Sequence, residues 1–190
     1  MKKNITYFEK PGSENTEETI KLAYERAIEL GIKDVVVASS YGSTALRVAE
    51  YFDPSKFNIV AVTICEGHRD KGWTISKEAR ERLLAKGIKV YTGVHSLDSD
   101  VNSAFTEKFG GLSFSDVVAQ TLYRFCQGMK VCVEIVLMAA DAGLIPVDRE
   151  VIAIAGTDRG ADTAIVVKPA YPRKFLELKI KEIIAKPRES

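Results

Sequence analysis

A chain of 190 residues is long enough for one domain with a sizeable core, and we take residues 1–190 as that single domain. Its 46% hydrophobic and 28% charged content excludes a disordered chain. A net charge of +1 excludes the strong field that nucleic acid or an acidic membrane surface would need as a main partner.

In chain order, Ile5 to Phe8 is a short β-prone piece closed by the turn signal Pro11-Gly12. Asn15 followed by Glu18 has capping-box spacing, and Ile20, Ala23, Tyr24, Ala27 and Ile28 then recur at helical intervals up to Gly31. Asp34 to Ala38 is a β-branched run of the kind expected in a strand covered on both faces. Thr44 to Tyr51 reads as a helix, and Asn58 to Thr63 as a second buried strand. Ile64 to Thr74 is a polar loop. Ser76 caps a helix that stops at Gly87, and Ile88 to Tyr91 is a third strand. Thr92 to Gly111 has no clear period and is expected to be a long loop with a short helix near Ser103 to Lys108. Ser115 is expected to cap a helix to about Phe125, and Met129 to Ala142 forms another. Val151 to Ala155 and Ala164 to Val167 are further strands, and Leu176 to Ile184 alternates like an edge strand. Strands separated by helices predict a three-layer α/β fold with a mainly parallel sheet.

The three cysteines, Cys65, Cys126 and Cys132, form no Cys-x-x-Cys pair, which fits a reducing compartment. His68 and His95 are too few for a familiar zinc site, so no metal is expected. No run reaches membrane-spanning length, and Met1-Lys2-Lys3-Asn4 does not lead into an apolar signal core. These features predict a cytoplasmic protein that uses neither membrane nor nucleic acid.

Ligands of parallel α/β sheets sit beyond the carboxyl ends of the strands. Four segments there carry chemistry. Ser39-Ser40-Tyr41-Gly42-Ser43-Thr44 offers hydroxyls, a glycine and a helix N-terminus, the parts of a phosphate site; the same residues also suit a tight turn with Ser43 or Thr44 as N-cap. Gly156-Thr157-Asp158-Arg159-Gly160-Ala161-Asp162-Thr163 supplies Arg159 for phosphate and Asp158 or Asp162 for hydroxyls, or is simply a glycine-rich hairpin. Beyond Thr63, at the end of its strand, His68 is either an acid–base group or a solvated loop residue. Trp73 is either a stacking surface or an apolar lid. Glu134, in an almost wholly apolar helix, either pairs structurally with Lys130 four residues earlier or lines a pocket floor and accepts hydrogen bonds from a ligand. No nucleophile–base arrangement emerges.

Val35 to Ala49 and Ile59 to Thr63 resemble the C-terminal α/β domain of pyruvate kinases, which shows a hydrophobic strand, a Ser/Thr-rich loop with glycine, then Thr-Ala and a helix. Val151 to Ala155 with Gly156, Gly160 and Thr163 is similar to that domain's final glycine-rich loop. The resemblance implies a phosphate held by Ser39, Ser40, Gly42, Ser43 and Thr44. Tyr41 departs from the small hydroxylated residue usual before the glycine. With no room for the catalytic barrel, phosphoryl transfer from phosphoenolpyruvate is not expected. The whole chain is more similar to a stand-alone archaeal-type group of this fold, whose members are thought to hold FMN. FMN is therefore the implied cofactor, with Thr63 and Glu134 lining the floor and Gly156 to Thr163 closing over it. The alternative implied function is a non-catalytic sensor of a phosphorylated sugar or nucleotide; a third is a phosphosugar-processing enzyme using His68 or Glu134. The apolar Met129 to Ala142 helix also leaves room for a homo-oligomer.

Overall fold

The computed structural model describes residues 2–189. Seven strands form one sheet: β1 (Thr6–Phe8), β2 (Asp34–Ala38), β3 (Asn58–Thr63), β4 (Lys89–Thr92), β5 (Val151–Ala155), β6 (Thr163–Lys168) and β7 (Lys179–Pro187). Six helices accompany them: α1 (Thr16–Leu30), α2 (Ser43–Tyr51), α3 (Lys77–Ala85), α4 (Val101–Phe109), α5 (Phe114–Tyr123) and α6 (Gln127–Asp141). The strand order is β1-β7-β6-β5-β2-β3-β4. Pairs β1·β7, β2·β3, β2·β5 and β3·β4 are parallel, whereas β5·β6 and β6·β7 are antiparallel.

The sheet separates two apolar layers because successive side chains of a strand point to opposite faces. Val35, Val37, Ile59, Ile152 and Ile154 face α1 and α2, while Val36, Val60, Ala153 and Val167 face α6. On the first face Phe52 meets Tyr24 and Phe57 edge-to-face at 5.2 and 5.1 Å, contacts worth about 0.5–1.5 kcal/mol each beyond their buried area. On the second, α6 is buried along nearly its whole length by the sheet and by α5. Its apolar surface is thus covered within the chain. Among the described residues no helix is long and apolar enough to cross a membrane.

Three local expectations are corrected. Asn15 does not form a capping box: it is already helical, and its amide donates to the carbonyls of Lys10 and Gly12. The residue that caps α5 is Ser113, which receives Asp116 N–H while Asp116 receives Ser113 N–H, so the helix begins before Ser115. The last strand is not an edge strand. β7 lies between β1 and β6, because the short β1 supplies the edge. The long segment after β4 also holds a fuller helix than expected, α4, started by a capping box of Asp100 and Ser103.

Candidate ligand-binding site

The chain runs outward through β2, β3 and β4, then returns to place β5 on the other side of β2. This reversal leaves a crevice beyond the carboxyl ends of β2 and β5, where the 39–44 and 156–162 segments meet. A cavity of about 760 Å³ opens there, within the usual range for small-molecule sites, roughly 300–1,000 Å³.

Ser39, Ser40, Tyr41, Ser43 and Thr44 line it from one side. The Ser39 hydroxyl oxygen accepts Ala45 N–H at 3.1 Å, and Leu46 N–H reaches the Gly42 carbonyl. The amides of Ser43 and Thr44 have no acceptor among the described residues. Two unpaired N–H groups therefore stand at the positive end of α2 on residues that line the cavity, an environment that favours an anion. Gln127 brings the uncapped N-terminus of α6 to the same space. Gly42 itself does not line the cavity. At φ 89° it makes the left-handed turn into α2, and a Cβ there would touch Leu83 at 3.4 Å.

Across the crevice, Gly156, Asp158, Arg159 and Gly160 line the cavity, but Asp162 and Thr163 do not. Asp162 is fully buried and accepts N–H bonds from Gly12 and Thr157, both at 3.1 Å, and the Thr163 hydroxyl at 2.8 Å. Their work is to fold the loop. Thr63 lines the cavity while its hydroxyl engages Thr92 and the Tyr91 carbonyl. Ser99 and Asp158, the two non-glycine residues with positive φ among those described, at 54° and 61°, both line the cavity. Backbone strain of this sort, about 1–3 kcal/mol each, concentrates at functional sites.

The far wall carries a charged cluster that the sequence signalled only at Lys130 and Glu134. The Lys130 ammonium donates to Glu134 at 2.6 Å and also to Asp98, although Lys130 and Glu134 are each only 2% exposed. His95 Nδ1 lies 3.2 Å from Asp98 and 3.6 Å from Glu134, and Leu97 N–H donates to the other Glu134 oxygen at 2.9 Å. Glu134 therefore sits at the cavity floor with both oxygens engaged by the protein. Burial pushes its carboxyl up, only partly opposed by Lys130. Burial acts the same way on Asp98, but the His95 hydrogen bond and the Lys130 charge outweigh it and hold that carboxyl below its ordinary range. Burial disfavours the His95 imidazolium, yet Asp98 and Glu134 more than offset this and raise its pKa. His95, Asp98 and Glu134 bring one ligand atom each within 4.8 Å of one another, a donor set suited to a cation, but the Lys130 ammonium already bonds both carboxylates.

His68 and Trp73 complete the wall, their rings 5.5 Å apart, with His68 Nε2 hydrogen-bonded to Ser99 at 2.9 Å. Trp73 and Tyr41 are nearly half exposed, and Arg159 lies 6.0 Å above the Tyr41 ring. His95, Asp98 and Ser99 were not singled out from the sequence. The one signal for them was Glu134, a carboxylate in an apolar helix that had to find partners elsewhere.

The fold is thus a mixed α/β sheet with the N-terminus of α2 and a cavity of small-molecule size at its switch point. The model of the pyruvate kinase alpha/beta domain matches residues 17–167, and the chain belongs to that family. Among solved structures it is similar to a Cryptosporidium parvum pyruvate kinase in complex with ADP, at 18% identity and TM-score 0.41, covering 94% of this chain and 24% of that one. A second pyruvate kinase structure from the same organism matches at 18% and 0.41 over 83% of this chain and 23% of that one. A third matches at 15% and 0.39 over 85% and 23%. The chain thus spans about a quarter of the length of those pyruvate kinases.

Proposed function

We propose that this protein binds a phosphorylated small molecule in the crevice between β2 and β5, and that the molecule is FMN. The observation that carries the reading is the pair of unpaired amides, Ser43 and Thr44, at the N-terminus of α2 in the wall of a ligand-sized cavity. The phosphate would rest there, with Arg159 within the same cavity as a further cation. The exposed faces of Tyr41 and Trp73 suit a flat ring, so the residues present fit the group at both ends. A bound flavin would supply hydride and one-electron chemistry. The chain's own part is to bind, orient and shield.

Freshly purified protein is expected to be yellow, or to become so on titration with FMN, with the flavin retained through gel filtration. A colourless protein that takes up no FMN would end the flavin reading. The second reading is a sensor of a phosphorylated sugar or nucleotide. Its support is that Lys130, Glu134, Asp98 and His95 are engaged with one another, which suits binding better than turnover. A thermal-shift panel in which a phosphosugar stabilises the protein and FMN does not would select it.

A further inference from the structure

The buried pair of α6 reaches the outer wall of the cavity through an unbroken series of contacts. Glu134 holds Leu97 N–H, and Lys130 holds the Asp98 carboxylate. The next residue, Ser99, adopts the left-handed conformation at φ 54° and is hydrogen-bonded to His68. His68 in turn stacks beside Trp73, its ring tilted by 37°. A serine seldom takes this backbone shape without restraint, and the bonds to the two residues before it supply restraint on one side, as the Asp100 capping box does on the other.

We propose that Lys130 and Glu134 are positioning residues: they hold the segment before α4 in the shape that lets Ser99 meet His68, and so fix the His68–Trp73 wall against which the ligand's flat ring rests. The last clause rests on the ligand reading given above, whereas the placement of the wall concerns the free protein alone. The ion pair is an expensive way to hold a helix in an apolar core, since charges out of water recover their desolvation only through further bonds. Those further bonds run to the cavity segment. That is what the pair achieves here beyond packing.

Trp73 is the chain's single tryptophan, so its fluorescence reports this wall without interference. Lys130→Met alone would strand a buried carboxylate and threaten folding. The informative variant is therefore the neutral double, Lys130→Met with Glu134→Gln, compared with Ser99→Ala. In the ligand-free proteins, both variants are expected to shift Trp73 emission and increase its quenching by acrylamide. Adding Ser99→Ala to the double variant should then change little more, because the two act through one series of contacts. With ligand, FMN affinity should fall about tenfold, the loss expected when a ring is left poorly stacked, while the affinity for inorganic phosphate is unchanged.

Emission and quenching identical to the parent in a double variant that keeps its far-UV circular dichroism would overturn the proposal, as would equal losses of FMN and phosphate binding. If the parent protein binds phosphate but no FMN, the flavin reading fails. The emission of the free proteins still decides whether the pair places the wall.

Discussion

The Ser39 hydroxyl oxygen accepts the amide hydrogen of Ala45, six residues further on, at 3.1 Å. It thereby occupies the third N–H of α2, while the first two, on Ser43 and Thr44, have no acceptor among the described residues. Ser39→Ala removes a buried cap and is expected to cost about 1 kcal/mol of stability, read by urea or thermal unfolding. Fraying of the first turn should also weaken phosphate-ester binding. Unchanged unfolding would show that the bond contributes nothing.

Ser43→Asp separates binding from stability. A carboxylate at the first position of α2 interacts well with the helix dipole, so the melting temperature should hold or rise slightly. The same charge occupies the anion position, and affinity for phosphate or FMN should drop by more than about tenfold. A variant that binds as tightly as the parent would place the phosphate elsewhere.

His95 should titrate above its ordinary value of 6.5, because Asp98 and Glu134 outweigh the cost of its burial. Lys130 on the same helix as Glu134 opposes this, and the Tyr123 ring lies 6.0 Å from the Lys130 ammonium. Since the folded value is raised, the stability His95 contributes is complete below pH 6.5 and is lost as pH rises through the folded value. Imidazole NMR titration checks the midpoint. Asp98→Asn should move it down, since burial then meets less opposition.

Gly156→Ala tests the loop that faces the α2 terminus. A Cβ there would lie 2.8 Å from the Ala161 Cα and 2.9 Å from the Gly160 carbonyl, backbone atoms with little freedom to move. The expected cost is about 1–3 kcal/mol, with weakened ligand binding, measurable by thermal unfolding and titration. A variant as stable as the parent would mean that the loop adjusts freely.

Much of the fold was legible because continuous β-branched runs such as Asp34 to Ala38 and Asn58 to Thr63 have few alternatives to a buried strand. The position of β7 was not, because alternation identifies a half-covered strand without naming its neighbours, and the covering edge came from the distant Thr6–Phe8. Ser113 and Ser115 are equivalent in composition, and only the reciprocal bonds with Asp116 separate them. In the site, the 39–44 loop was readable since its phosphate chemistry is local. Asp162 and Thr163 looked like ligand groups for the same local reason, yet their partners are Gly12, Thr157 and Cys126. The charged wall was hidden because His95 and Asp98 meet Lys130 and Glu134 across more than thirty residues of chain.

The helix α6 passes close to β6 at Gly128, where an added Cβ would fall 2.5 Å from the Thr163 Cβ. Two residues further along the same helix stands Lys130, with Glu134 one turn beyond. Any side chain at position 128 would act as a wedge under the end of a lever, lifting the helix and carrying both charges away from the loop they clasp. The placing of the charged wall thus depends on a residue with no side chain, at a position outside the cavity lining.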